Sequence, residues 1–372
     1  MNIVQVFNSV GLNGPEMLVL PAMVNAGWLH EIWSLHETRH GEYNEFEAFC
    51  NKLNLPVRRI NVARRIDPSA IEVMRRMMEP LGNQTVFHSH DAKASIYTWA
   101  ALSAHSRFKR NNVVTHHGAL ARPDTLSRLY ECLFTQGARM FASKILCVCK
   151  EDFEILLKRG IPKAKLELHL NGIDRPPLSW NDRRSTAVHE ISRLAIAARL
   201  SPEKNHKRLF DVACKMNSLR SFPWTIDVLG DGNLMADLVA YCQRIGIEKQ
   251  VRFVGYCNEA WRTFDQYDCL LNFSLGEGAP ISLLEAGWRT TPAFVSAVGG
   301  TPNLCGPHGA EYFDLSESDS EIAERLAQFC LDENKRRSKA QSLFTRVKNN
   351  YSQSHWLTSV EKIYQNVLGV SL

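Results

Sequence analysis

The chain has 372 residues, 45% of them hydrophobic and 22% charged, and a net charge of +5. That length exceeds what one core fills and predicts two domains, and the composition is ordinary for a soluble globular enzyme. No apolar run of about 18 residues or more excludes a membrane-spanning helix, and Met1–Phe7 lacks the basic and long apolar stretches of a secretory leader, so a cytoplasmic protein is expected.

The chain opens on apolar runs separated by helical patterns. Strands are predicted at 2–7, 31–35, 57–62, 85–89, 112–116 and 145–149. Between the third and fourth, Asp67 reads as a helix cap and Pro68 as the first helical residue. Ala70, Met74, Met77, Met78 and Leu81 then mark one buried helix face. Turn residues concentrate at Asn171-Gly172-Ile173-Asp174-Arg175-Pro176-Pro177 and predict a domain boundary. The polar stretch 176–190 reads as a linker.

Alternation resumes beyond it, with strands predicted at 191–198, 224–229, 251–254, 269–273 and 292–296. Helices are predicted near 205–218, 233–245, 259–266, 280–288 and 318–333. Buried strands alternating with helices mean parallel sheets covered on both faces. The predicted layout is an N-terminal domain 1–175, a linker 176–190, a C-terminal domain 191–352 and a final helix within 353–372 that packs back. The apolar positions of that last segment are Trp356, Val360, Ile363, Tyr364 and Val367.

Charge is unevenly placed. Residues 1–175 hold 22 Lys and Arg against 17 Asp and Glu, whereas the remainder is balanced at 22 against 22. Arg58, Arg59, Arg64, Arg65, Arg75 and Arg76 cluster with Asp67 and Glu72 as the near acids, and Arg107-Phe108-Lys109-Arg110 forms a second basic stretch. These are solvated helix faces or a surface for anionic lipid headgroups or a lipid diphosphate. Nucleic acid is not expected as a partner, since the basic stretches lack interleaved aromatics. The ten cysteines include no CxxC pair and are expected as buried, reduced thiols. No Asp-x-Asp triplet occurs.

The strongest chemical signal is Ser274-Leu275-Gly276-Glu277-Gly278-Ala279-Pro280-Ile281-Ser282-Leu283-Leu284-Glu285-Ala286. A strand runs into a glycine turn and then a helix, with Pro280 near its start. Glu277 thereby falls at the carboxyl end of a strand, where doubly wound sheets bind ligands. The free N–H groups of Ala279 and Ile281, with the helix dipole, suit a phosphate. Glu285 lies one turn further along.

This segment resembles the E-x7-E motif of glycosyltransferase family 4. Ala197-Ala198-Arg199-Leu200-Ser201-Pro202-Glu203-Lys204-Asn205 resembles that family's GRL-x-x-EKG/N segment. Val228-Leu229-Gly230-Asp231-Gly232 resembles its GDG loop, and Val251-Arg252-Phe253-Val254-Gly255-Tyr256 its V-x-F-x-G. Val298-Gly299-Gly300-Thr301-Pro302 resembles VGG-x-P, with Asn303 where Glu is usual. The first half matches more loosely. Asn13-Gly14-Pro15-Glu16 resembles the GG-x-E loop, His88-Ser89-His90-Asp91 resembles H-x-H, Thr115-His116-His117-Gly118 resembles T-x-HG, and Asn171-Gly172-Ile173-Asp174 resembles NG-I/V-D.

The resemblance implies a GT-B fold, two Rossmann-like doubly wound domains facing across a cleft with the C-terminal helix crossing back to the first. It implies a retaining transferase using a nucleotide sugar, UDP-linked before GDP-linked, and a glycan or lipid-linked glycan acceptor of bacterial surface polysaccharide. No cofactor and no metal are expected, because Arg199 and Lys204 would neutralise the diphosphate. Implied catalytic residues are His117, Glu277, Arg199 and Lys204. Implied donor contacts add Gly14, Gly230, Gly278, Ala279, Pro280, Ile281 and Glu285, with Glu277 on the sugar and Glu285 on the ribose. His90 and His117 are implied on the acceptor side, and whether His116 or His117 faces the ligand is open. Peripheral contact of the basic first domain with an anionic membrane is expected. The alternatives are a GT-B sugar-nucleotide epimerase and a catalytically silent partner subunit.

Overall fold

In a computed structural model, residues 1–8, 14–26, 30–117, 125–183, 191–219 and 223–369 are described. The chain divides into two compact units. Among the described residues, the first takes those up to Gly172 together with the stretch from Gln353, and the second runs from Ile173 to Ser352.

Unit 1 is built on seven parallel strands: β1 (Asn2–Phe7), β2 (His30–Glu37), β3 (Val57–Val62), β4 (Thr85–Ser89), β5 (Asn112–His116), β6 (Lys144–Cys147) and β7 (Leu166–Leu168). Their order is β3-β2-β1-β4-β5-β6-β7, so the winding reverses between β1 and β4. β1, β4 and β5 are buried along almost their whole length, as expected of a sheet covered on both faces. The helix Pro68–Met78 begins as its residues dictate. Asp67 accepts from Ser69 N at 3.0 Å, Pro68 takes the first position, and Ala70, Met74 and Met78 face the core. The helix Gln353–Leu368 belongs to this unit and buries Trp356, Val360, Ile363 and Tyr364.

Unit 2 carries six parallel strands: β8 (Ser192–Ala197), β9 (Trp224–Leu229), β10 (Val251–Gly255), β11 (Cys269–Asn272), β12 (Ala293–Ser296) and β13 (Glu311–Phe313). Their order is β10-β9-β8-β11-β12-β13, reversing between β8 and β11. Leu194, Ile196, Val228, Leu271, Phe273 and Phe294 lie in its core. Both units are thus Rossmann-like, and sheets of this kind bind ligands at the carboxyl ends of the two strands where the winding reverses.

Several expectations are corrected. The expected linker, 176–190, packs against unit 2 over its described part, 176–183, and 184–190 lie outside the described residues. Leu178 N bonds Trp288 O at 3.1 Å, Trp180 is buried, and the Arg183 guanidinium bonds Thr290 O at 2.9 Å and Thr291 Oγ1 at 2.8 Å, all inside unit 2. The helix expected at 259–266 is a 3-10 turn, Ala260–Gln266, entered through Glu259 at φ 57°. The strand expected to reach 149 stops at Cys147, because Cys149 caps the next helix through its sulfur. Short β7 and β13 were not anticipated, nor was the helix Glu333–Asn350, which buries only Ala340, Leu343 and Val347. The arginine cluster is also less bare than its sequence neighbours suggest. Arg58 pairs with Glu31, Arg59 with Glu47 at 2.7 Å, and Arg76 with Glu72 at 3.2 Å. The partners of Arg58 and Arg59 come from the neighbouring strand β2 and from the helix that precedes β3.

Candidate active site

In unit 2 the reversal point gathers the charged residues of both flanking loops. After β8 the chain makes a 3-10 turn, Pro202–Lys204, then Asn205 adopts φ 56° and launches the helix His206–Met216. A left-handed residue there explains why glycine or asparagine is wanted at that position. After β11, Leu275 N bonds Glu203 O at 2.8 Å, tying the second loop to the first. Three donors then converge on one oxygen of Glu277. Lys204 Nζ lies 2.7 Å from Oε1, Ser274 Oγ 2.5 Å and Asn272 Nδ2 3.2 Å. The carboxylate is 8% exposed and its lysine 21%. Such a group, desolvated and held at Oε1 by three donors, is rigid, and Oε2 remains for another donor.

The backbone behind Glu277 is held by the diglycine. Gly300 N bonds Glu277 O at 2.8 Å. Gly299 sits at φ 55°, and a Cβ there would lie 2.1 Å from Glu277 O, so only glycine allows this approach. The helix Ile281–Trp288 follows, with Pro280 as its cap residue rather than inside it, and no side chain caps its N–H groups. Gly278 and Ala279 are half-buried in the connecting turn. The N–H groups of Ile281 and Ser282, in the first turn of a helix that no side chain caps, therefore stand where an anion is favoured.

Glu285 lies further along this helix. Arg175 donates to its Oε1 twice, from Nη2 at 2.8 Å and Nε at 3.2 Å, and its guanidinium packs 5.3 Å from the Trp261 ring. Burial pushes the Glu285 carboxyl up, against the downward pull of Arg175. Arg199 approaches Glu203 at 3.4 Å and its side chain is 60% exposed, leaving the guanidinium accessible. Gly230 is a packing residue: a Cβ on it would lie 2.0 Å from Ala198 O. It lets the loop after β9 close against the end of β8.

In unit 1 the reversal point gathers uncharged imidazoles. His90, just past β4, has both ring nitrogens engaged, Nε2 with Gln5 Oε1 at 2.5 Å and Nδ1 with His117 Nε2 at 3.4 Å. Its ring is stacked between Phe7, at 4.2 Å, and His88, at 4.3 Å. His88 bonds Tyr364 Oη at 2.6 Å and Thr115 Oγ1 at 2.8 Å. Burial holds the pKa values of His88 and His90 well below the usual histidine range. Desolvation first, and the neighbouring His116 second, lower that of His117 to about 3.

The paired histidines point to opposite sides, as strand alternation requires. His117 joins His90 and is half-buried, whereas His116 turns the other way toward Asp152, at 3.5 Å, and Glu131, at 4.0 Å. His90 is corrected as an acceptor contact: it is buried with both nitrogens used, and it supports His117 from behind. Gly14 is also corrected, from loop residue to first residue of the helix Gly14–Asn25. Asn13 and Gly118 lie outside the described residues.

The structure thus brings Lys204, Glu277, Gly278, Ala279, Pro280 and Ile281 together, with Glu285 on the same helix, and separately brings His90 to His117. Sequence reasoning missed Arg175, Asn272, Ser274, Gln5 and Tyr364. A polar residue inside the buried strand Asn2–Phe7 was a usable signal for Gln5, as was Asn272 at the end of β11. Nothing local marks Arg175 or Tyr364, whose partners are 110 and 276 or more positions away.

Comparison with known proteins adds independent findings. A model described as Glycosyl transferases group 1 matches residues 180–342, and one described as Glycosyltransferase Family 4 matches residues 20–175. The UDP-Gal:alpha-D-GlcNAc-diphosphoundecaprenol alpha-1,3-galactosyltransferase of Escherichia coli is 25% identical over 228 residues, so the chain spans 58% of the length of that curated relative, using 58% of its own. Among solved structures, Anabaena HepE in complex with UDP and glucose superposes with TM-score 0.83 at 16% identity, over 98% of this chain and 100% of that one. Sucrose-phosphate synthase from Thermosynechococcus elongatus gives TM-score 0.79 at 15% identity over 100% of both. Likeness at this identity is likeness of fold.

Proposed function

We propose, for a chain that belongs to glycosyltransferase family 4, that it is a retaining transferase moving a sugar from a nucleotide donor to a glycan or lipid-linked glycan acceptor in bacterial surface polysaccharide synthesis. A UDP-sugar is the first expectation for the donor and a GDP-sugar the second. The observation that carries this reading is the convergence of Lys204, Ser274 and Asn272 on one oxygen of Glu277, at the reversal point of a Rossmann-like sheet. The names of the relatives support the donor and acceptor classes: one is a UDP-galactose enzyme acting on a lipid diphosphate sugar, and another is solved with UDP and glucose.

In this reading the donor diphosphate lies against Lys204, Arg199 and the start of the helix Ile281–Trp288. Two cations and oriented N–H groups stabilise the charge that builds on the leaving nucleotide, with no metal called for. Glu277 Oε2 accepts from the sugar hydroxyls, since Oε1 is already taken. Glu285, fastened at Oε1 by Arg175, offers its other oxygen to the ribose hydroxyls. His117 in unit 1 meets the sugar as a neutral imidazole, able to accept or donate a hydrogen bond without a repelling charge.

Thermal shift against UDP, GDP, ADP and their sugars tests the reading. A matched nucleotide at a hundredfold excess over Kd stabilises the protein by about 2.7 kcal/mol, and Lys204→Ala removes that shift. A protein indifferent to every nucleotide contradicts the proposal. Peripheral contact with an anionic membrane is proposed for unit 1, on the cytoplasmic side. Arg64 and Arg65 occupy an exposed turn beside Ile66, itself 57% exposed. No helix among the described residues is long and apolar enough to cross a membrane. Cosedimentation with phosphatidylglycerol vesicles, lost in Arg64→Glu/Arg65→Glu, is the expected result.

A further inference from the structure

We propose that Tyr364 and Gln5 are positioning residues that fix the tautomer of His117, so that its Nδ1 presents a lone pair to the ligand. The inference rests on the reading of His117 as the imidazole that meets the sugar. It follows from donors and acceptors taken in order along one buried line.

The Gln5 amide has a donor end and an acceptor end. Its Nε2 donates to Tyr364 Oη at 3.1 Å, and its Oε1 faces His90 Nε2 at 2.5 Å. A carbonyl oxygen only accepts, so His90 Nε2 carries the proton. A neutral imidazole has one N–H, which leaves His90 Nδ1 as an acceptor. The ring 3.4 Å from it is His117, whose Nε2 must therefore be the donor. His117 then has its lone pair on Nδ1. On the other branch, Tyr364 gives its own proton to His88 Nδ1 at 2.6 Å, and His88 Nε2 donates to Thr115 Oγ1 at 2.8 Å. Each group in the line has one consistent role.

Reversing the Gln5 amide would reverse each step and leave the proton of His117 on Nδ1. Tyr364 ties that choice to His88: a reversed amide would draw the Tyr364 proton to Gln5 Oε1 and require His88 Nδ1–H, with Thr115 Oγ1 donating to His88 Nε2. Ring rotation of His90 is blocked, since Phe7 and His88 stack on its two faces at 4.2 and 4.3 Å. The burial that keeps all three imidazoles neutral is what makes the alternation possible, because a doubly protonated ring would accept from nobody. A tyrosine from the last helix thereby sets the hydrogen-bonding face of a histidine following β5. If Tyr364 only filled the core, its hydroxyl could be removed without any change at His117.

Nitrogen-15 imidazole spectra of the full chain test this without substrate. In the wild type, His90 and His117 are expected as Nε2–H tautomers; His117 found as Nδ1–H overturns the proposal, with no variant involved. In Tyr364→Phe, His117 is expected as a mixture, and kcat with the sugar nucleotide chosen by the thermal-shift screen falls about ten- to a hundredfold, the usual scale for an outer partner, while donor KM stays put. Gln5→Glu, which accepts with both oxygens, is expected to keep the Nε2–H form. An unchanged spectrum and unchanged kcat in a folded Tyr364→Phe protein also overturn it. His117→Ala separates the two ideas: unimpaired turnover there sinks the reading of His117, while the tautomer spectra judge the relay by themselves.

Discussion

The two reversal points use the same topology for opposite electrostatics. In unit 2 the crevice is lined by ions, Lys204 on Glu277 and Arg175 on Glu285. In unit 1 it is backed by neutral rings, with His117 outermost and the buried His90 and His88 behind it, joined through Gln5 and Tyr364. In the proposed reading, a diphosphate leaving group demands fixed positive charge, and the carboxylates that hold the cations of unit 2 in place would also read hydroxyls. In the same reading, a sugar and its acceptor hydroxyl demand hydrogen bonds whose polarity is set in advance, which a neutral imidazole would supply. The contrast accounts for the division of labour better than any single residue does.

The largest effect should come from removing the ionic centre. Glu277→Ala is expected to lower turnover by about a hundred- to a thousandfold, read as nucleotide release, with the circular dichroism spectrum retained. A loss below tenfold would erase the distinction between the crevices.

Acid should distinguish the units next. Burial holds His88, His90, His117 and His169 below their unfolded value of 6.5, the last to about 4. Lowered folded values mean stability that is present above pH 6.5 and is lost as pH falls toward 4 and 3. His169 alone carries about 3 kcal/mol at the usual conversion. Asp91, pushed up to about 6 by burial, works in the opposite sense and offsets part of this. Unit 2 has His206, lowered to about 4, as its buried histidine among the described residues. Hydrogen exchange followed from pH 7 to 4 should therefore show unit 1 opening first. Simultaneous opening would contradict the comparison.

A smaller change is expected at the outer ion pair. Arg175→Ala should raise donor KM about tenfold, about 1.4 kcal/mol, with kcat little altered. Without the arginine the Glu285 carboxyl climbs further, so donor binding should worsen as pH falls. Least of all, Asn205→Ala should cost about 1 kcal/mol for a left-handed residue without a tolerant side chain, and Asn205→Gly nothing measurable, by thermal denaturation.

Much of unit 2 was legible in the sequence, and the reason is local. Glu277, the glycines and the helix starting after Pro280 sit on one continuous segment, so spacing alone conveys strand, turn and helix. Lys204 likewise comes from the loop that directly follows a strand. Legibility stopped where function depends on residues far apart in the chain. The line from Tyr364 to His117 joins β1, β4, β5 and the last helix, and no periodicity announces it. The helix Glu333–Asn350 escaped for a different reason: three buried positions in eighteen make too narrow a stripe. Short edge strands such as β7 have too few residues to alternate visibly.

The division into an ionic donor crevice and a neutral sugar-facing one is tested most directly by calorimetric titration of UDP and GDP into wild type, Lys204→Ala and His117→Ala. The account predicts that one nucleotide binds the wild type, that Lys204→Ala weakens it at least about tenfold, about 1.4 kcal/mol, and that His117→Ala leaves its Kd unchanged. Equal affinity in wild type and Lys204→Ala, or a loss confined to His117→Ala, would contradict it.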